Sequence, residues 1–197
     1  MTPNRNQPRN ENGIDAVKAI RVTQWTGVAL IALLLSGCSS GNKKSDLPPP
    51  PVVASVDVNR YLGTWYQQAQ IPNRFQSMCV SNTRATYALD GKDLSVLNQC
   101  TGVDGKPETA TGVAKIVAGS NNAKLRVSFF RPFYGDYWVL ALDPDYQWVL
   151  VGDPTREYGW VLARNAKLDD VTYSQIMARA AQMGYDNARF ERSLQIP

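Results

Sequence analysis

The sequence predicts an all-β domain, a sandwich or an antiparallel barrel, followed by one helix. Two observations predict it. Between Gly63 and Arg164 the chain is a succession of short runs rich in β-branched and aromatic residues, separated by clusters of Gly, Asn, Asp and Pro. Beyond that stretch the apolar period becomes helical, with Tyr173, Ile176, Met177, Ala180 and Met183 forming one stripe.

Taken in order, strands are expected at 63–69, 80–89, 94–100, 109–116, 124–130, 137–142, 147–152 and 159–164. "LDGKD" (89–93), "GSNNAK" (119–124) and "LDPDYQ" (142–147) supply tight-turn residues between them. Asp169 or Asp170 can cap the helix start, and Gly184 is a natural stop. A last extended run, 188–196, can add a short strand.

The ends of the chain carry a different message. Residues 25–35, "WTGVALIALLL", form an apolar run behind Lys18 and Arg21 that closes in "LLSGC". A basic segment, a short apolar one and small residues before a cut describe a secretory signal peptide. The run is short of the roughly 20 apolar residues that a membrane-spanning helix needs. Leu35-Ser36-Gly37-Cys38 resembles the lipobox of bacterial lipoproteins. That resemblance implies cleavage before Cys38, acylation of its sulfur and new amine with palmitate-class chains, and, since Ser39 follows rather than Asp, export to the outer membrane. The expected division is a signal peptide at 1–37, the lipidated Cys38 with a flexible Pro-rich tether at 38–55, and a folded domain at 56–197.

Composition narrows the function. Basic residues exceed acidic ones by four in the 197-residue chain, and the first 37 residues hold four basic and two acidic groups, so the excess after cleavage is about two. Neither that balance nor any run of Lys and Arg argues for nucleic acid. The chain has no histidine, which removes the commonest general base and the commonest metal ligand. No metal or cofactor is expected. With Cys38 acylated, Cys79 and Cys100 remain, and in an exported chain a disulfide is favoured over a metal site or a reactive thiol.

"GTW" at Gly63–Trp65, "LDPDY" at 142–146 and "WVLAR" ending at Arg164 follow one another in the order and spacing of three signatures of the lipocalin family. The chain resembles lipocalins, the bacterial ones most, from about residue 56 onward; Leu142 stands where many lipocalins have Thr. The resemblance implies an eight-stranded antiparallel up-and-down β-barrel, the lipocalin calyx, with a C-terminal α-helix and a short extra strand. In such a barrel alternate turns share an end. Trp65 starts the first strand and Arg164 ends the eighth, so the indole can pack beneath the guanidinium and close the barrel. Gly63, Trp65, Asp143, Tyr146 and Arg164 then have structural roles at the closed end. The other end is a mouth built from 71–78, 101–108, 131–136 and 153–158. It carries Arg74, Arg131 and Arg156 beside Phe75, Phe133 and Tyr134, with Cys79 and Cys100 close by. Cationic and aromatic groups around an apolar opening suit an amphiphile with an anionic head.

Strand alternation sends every second side chain inward. Counting from Trp65 and Arg164 puts Gln67, Ala69, Trp160 and Leu162 inside. The remaining strands offer Ala85, Tyr87, Leu89, Val96, Asn98, Ala110, Gly112, Ala114, Leu125, Val127, Phe129, Tyr137, Val139, Ala141, Trp148 and Leu150. Ligand contacts are expected from Tyr87, Val96, Asn98, Phe129, Tyr137, Val139, Trp148 and Trp160 inside, and from Arg74, Phe75, Arg131 and Arg156 at the rim. The expectation is a non-enzymatic, lipid-anchored carrier of fatty acids, lysophospholipids or similar hydrophobic molecules, held at the periplasmic face of the bacterial outer membrane. The resemblance also allows a homodimer. Two rivals stand beside it: an enzyme acting on a bound lipid through a Cys, Tyr or carboxylate, and an envelope interaction protein whose barrel is filled by its own side chains.

Overall fold

A computed structural model of the chain describes residues 47–196. The expected signal peptide and the expected lipidation site, Cys38, lie outside the described residues. Among the described residues the first element is a single helical turn, α1 (Val58–Tyr61), whose start is capped by Asp57 Oδ1 accepting from the Asn59 and Arg60 amides. Nine strands follow: β1 (Gly63–Gln70), β2 (Cys79–Asp90), β3 (Asp93–Gly102), β4 (Pro107–Ile116), β5 (Lys124–Phe130), β6 (Phe133–Leu142), β7 (Trp148–Gly152), β8 (Gly159–Ala163) and, after the helix α2 (Asp170–Gln182), β9 (Glu191–Arg192). All pairings are antiparallel, in the order β2-β3-β4-β5-β6-β7-β8-β1-β9, and β1 also pairs with β2. That second pairing closes eight strands into an up-and-down barrel, so that each wall strand has a neighbour on both sides. β9 sits outside, paired to the end of β1.

The eight barrel strands match the sequence expectation within a few residues, except β6. It begins at Phe133 rather than 137 because Phe130 pairs with Phe133, so the turn is only Arg131 and Pro132. Gly135 and Asp136, which read as turn residues, lie inside the strand. α1 was not expected: one turn is too short to show an apolar period. α2 is capped by Asp169, which accepts from Thr172 N at 2.8 Å, and Gly184 follows its end with φ +83°.

Two apolar layers hold the barrel. The inner one joins Tyr61, Trp65, Tyr87, Leu94, Val96, Leu125, Val139, Val149, Val151 and Leu162. The outer one joins Ile176, Met177 and Ala180 of α2 to Ala69, Leu140, Ala141, Trp148, Leu150, Val161 and Ala163. Four expected inward positions therefore face the helix instead: Ala69, Ala141, Trp148 and Leu150. Register shifts between Gln67 and Ala69 and between Val139 and Ala141 invert the alternation in β1 and β6. β7 is buried on both faces, so its apolar sequence offers no alternation from which to phase it.

The expected tether is also corrected. Pro50 is buried, Val53 N donates to Val139 O at 3.0 Å and Val56 N to Asn121 O at 3.0 Å. Val52 and Val53 pack against the barrel core. Two apolar side chains and paired amides dock this stretch along the barrel despite its proline content, so among the described residues the packed unit begins near Leu47.

Candidate ligand-binding site

The two ends of the barrel differ. At one end the Arg164 guanidinium lies 3.8 Å from the centroid of the Trp65 ring. Three carbonyls fix it there: Arg164 donates to Thr64 O at 3.0 Å, Arg60 O at 2.6 Å and Tyr146 O at 3.3 Å. Burial of the guanidinium draws its pKa down, a shift opposed by the nearby Tyr61. Trp65 is fully buried and its Nε1 donates to Tyr61 O at 2.8 Å. Gly63 takes φ +90°, and a Cβ there would sit 3.5 Å from an Arg164 nitrogen. Asp143 Oδ2 accepts from the Asp145 and Gln147 amides, shaping the β6–β7 turn. That turn presents Tyr146, whose hydroxyl accepts from Asp57 N at 2.8 Å and whose ring lies under Arg60. Gly63, Trp65, Asp143, Tyr146 and Arg164 thus build a closed floor, with their polar groups occupied by one another and by backbone.

Above the floor, three tyrosines meet. Tyr61 and Tyr137 hydroxyls are 2.7 Å apart, and Tyr87 donates to Tyr137 Oη at 3.0 Å. Three O–H protons serve two bonds, so one proton has no partner within the cluster. Desolvation raises all three pKa values, Tyr87 to about 12, and keeps the hydroxyls neutral donors at ordinary pH. Val96, Leu125 and Val139 surround them, each buried. The lower half of the barrel is filled by its own side chains.

The upper half is different. Ala85, Asn98 and Ala110 stand opposite one another across β2, β3 and β4, and Gly112 pairs with the inward Val96. The Phe129 ring lies over Gly112, where a Cβ would come within 2.7 Å of it. Phe129 is nevertheless 44% exposed and Ala110 is exposed, because this half opens to solvent. Asn98 Oδ1 is buried without a hydrogen-bonding partner. On the facing wall Trp160 Nε1 donates to Gln76 Oε1 at 2.8 Å, and Gln76 Nε2 donates to Gln67 Oε1 at 2.9 Å. Small side chains, an unoccupied acceptor and a polar belt line an open cup. Two other surface depressions lie outside the barrel, one beside Lys115, Arg126 and Tyr134 and one along α2.

At the mouth, Cys79 and Cys100 are joined in a disulfide with Cα atoms 5.6 Å apart. Phe75 and Arg131 are exposed, and Arg74 is exposed over the Phe75 ring at 5.0 Å. Two expected contact residues are not available. Arg156 is only 6% exposed; its Nε donates to Met183 O and its Nη2 to Pro48 O, both at 2.6 Å, so it ties the β7–β8 loop to the end of α2 and to the docked N-terminal stretch. Trp148 points out of the barrel, with Arg179 of α2 5.2 Å from its ring. Tyr87, Val96, Asn98, Phe129, Tyr137, Val139 and Trp160 face the interior. Tyr61 and Gln76 join them unforeseen, one from the short helix and one from a loop, where no strand alternation applies.

Residues 56–195 match the lipocalin-like domain family model. The chain is a lipocalin. Among the lipocalin's relatives, temperature-induced lipocalin-1 of Arabidopsis thaliana is 42% identical over 154 residues, covering 73% of this chain and 82% of that protein. The outer membrane lipoprotein Blc of Escherichia coli K12 is 37% identical over 177 residues, covering 87% and 96%. Among solved structures, lobster apocrustacyanin A1 aligns with a TM-score of 0.59 at 22% identity, over 77% of this lipocalin and 93% of that chain, a likeness of fold.

Proposed function

We propose that this lipocalin binds a fatty acid, lysophospholipid or similar amphiphile in the upper half of its calyx, at the bacterial envelope. The observation that carries the reading is the contrast inside one barrel: an aromatic-filled lower half beneath an open upper half lined by Ala85, Ala110, Gly112 and Phe129. Burying an acyl chain against that wall is favourable by about 25 cal/mol per Å² of apolar surface. Polar ligand atoms can donate to Asn98 Oδ1 or accept the spare tyrosine proton, and the exposed Arg74 and Arg131 flank an anionic head at the mouth.

The same reading has residues 1–37 removed as a signal peptide and Cys38 acylated, anchoring the protein at the outer membrane. Similarity to relatives named outer membrane lipoproteins supports that location. No catalytic role is assigned: the disulfide occupies both cysteines of the domain, and the interior tyrosines are held neutral. Native mass spectrometry of protein extracted from membranes should find one co-purifying lipid per barrel. A barrel without lipid that also fails to displace a fluorescent fatty acid would remove the carrier reading.

A further inference from the structure

Exposed large apolar side chains gather at one end of the barrel. Phe75 of the β1–β2 loop, Val103 of the β3–β4 turn, and Phe130 and Phe133 beside the β5–β6 turn are 60%, 77%, 75% and 70% exposed. Phe130 and Phe133 stack at 6.2 Å with their rings 6° from parallel, forming one projecting edge. At the closed end, the turns 90–93, 117–122 and 143–147 carry chiefly Asp, Asn, Lys and Gly, and Leu89 is the large apolar side chain exposed beside them. Scattered surface apolar residues need no explanation, but a ring of them around an opening marks a contact surface.

The path of the N-terminal stretch says what that surface meets. Asn121 and Asn122, at the closed end, hold the carbonyls of Ala54 and Val56 at 3.2 and 3.0 Å. Pro48 O lies 2.6 Å from Arg156 Nη2, in the β7–β8 loop at the mouth. The chain therefore runs from the mouth toward the floor between Pro48 and Val56, and whatever precedes Leu47 leaves from the mouth end. Eight residues lie between Cys38 and Leu47, so Cys38 stands at most about 30 Å from the point where the chain reaches the mouth. An anchor on Cys38 thus holds the mouth, not the floor, nearest the membrane.

We propose that the rim formed by Phe75, Val103, Phe130 and Phe133 rests in the interfacial layer of the lipid bilayer, so that the calyx opens directly onto membrane lipid. Arg74 and Arg131, exposed at the same level, meet anionic headgroups. This orientation rests on acylation of Cys38, and it supplies the calyx with ligand without passage through water.

Hydroxyl-radical footprinting of the full acylated protein in vesicles of phosphatidylethanolamine and phosphatidylglycerol tests it. Oxidation of Phe130 and Phe133 should fall at least threefold relative to protein released by cleavage upstream of Leu47, with Leu89 unchanged. The released domain saturated with fatty acid should keep both phenylalanines reactive, separating shielding by bilayer from shielding by ligand. Equal oxidation of the rim in both samples, protection of Leu89, protection reproduced by fatty acid alone, or failure of the full protein to associate with vesicles would each overturn the orientation. A Phe130→Ser/Phe133→Ser protein should lose the protection of Phe75 while keeping the wild-type circular dichroism spectrum and urea midpoint. Failure of the released wild-type domain to bind fatty acid strikes the calyx reading alone, since the footprint is read independently.

Discussion

Replacing Trp65 by Ala separates a floor from a binding site. The indole is fully buried between Tyr61, 5.0 Å away between ring centroids, and the Arg164 guanidinium. Truncating a buried aromatic side chain costs about 3–5 kcal/mol through lost transfer energy and the cavity left behind. Removing Nε1 also frees the Tyr61 carbonyl, at about 1 kcal/mol, and the cation–π contact contributes about 0.5–2 kcal/mol more. These contributions overlap, so a total near 4–5 kcal/mol is expected. For a domain of this size that lowers Tm by roughly 10–15 °C. Thermal unfolding followed by circular dichroism, beside a fluorescent fatty-acid titration below the lowered Tm, reads both effects. Fatty-acid affinity should stay within a few-fold, because Tyr61, Tyr87 and Tyr137 stand between the indole and the open half. Loss of binding with Tm unchanged would show that Trp65 lines the ligand site and that the barrel has been read upside down.

Three further outcomes follow from single features. Opening the Cys79–Cys100 bridge, which closes a separation of 21 residues, should reduce stability by about 3 kcal/mol, read as a lower urea midpoint in Cys79→Ala/Cys100→Ala. The tyrosine cluster makes stability fall in alkali: each raised pKa contributes fully below about pH 10, the unfolded value, and its contribution is lost as pH rises through the folded value, about 12 for Tyr87. Urea unfolding should therefore be insensitive to these groups from pH 7 to 9 and weaken by roughly 1.4 kcal/mol per pH unit per tyrosine above 10; a flat profile to pH 11.5 would contradict the cluster. Arg156→Met should lower stability by about 2–3 kcal/mol, through hydrogen bonds lost to Met183 O and Pro48 O, while leaving fatty-acid affinity unchanged; weakened binding at unchanged stability would return Arg156 to the ligand.

The strands and the helix were legible from local chemistry, turn residues and a helix cap, whereas the barrel order, the closed floor and the mouth came from the resemblance to lipocalins, combined with the rule that alternate turns of an up-and-down barrel share an end. The interior was legible only where alternation ran unbroken. Val96 and Asn98 follow Tyr87 and Ala85 across a regular register, whereas a one-residue shift after Val139 sends Ala141 outward. A bulge of one residue leaves no mark on composition. Trp148 misled for another reason: a strand covered by the barrel on one side and α2 on the other is apolar at every position. Arg156 read as a rim contact for a ligand because its partners include two backbone carbonyls, Met183 O and Pro48 O, which sequence patterns do not display. Tyr61 was hidden by its place in a single turn of helix before the first strand.

Ala110 offers the most direct measurement on the calyx itself. It faces inward beside Asn98 yet is exposed, so a larger side chain there enters open space rather than packed wall. Ala110→Trp should leave Tm within about 3 °C of wild type, as surface substitutions usually do, and fill the upper cup. Titration of a fluorescent fatty acid should then show at least a tenfold weaker Kd for Ala110→Trp than for wild type. Equal affinity in the two proteins would contradict binding in the upper half of the calyx.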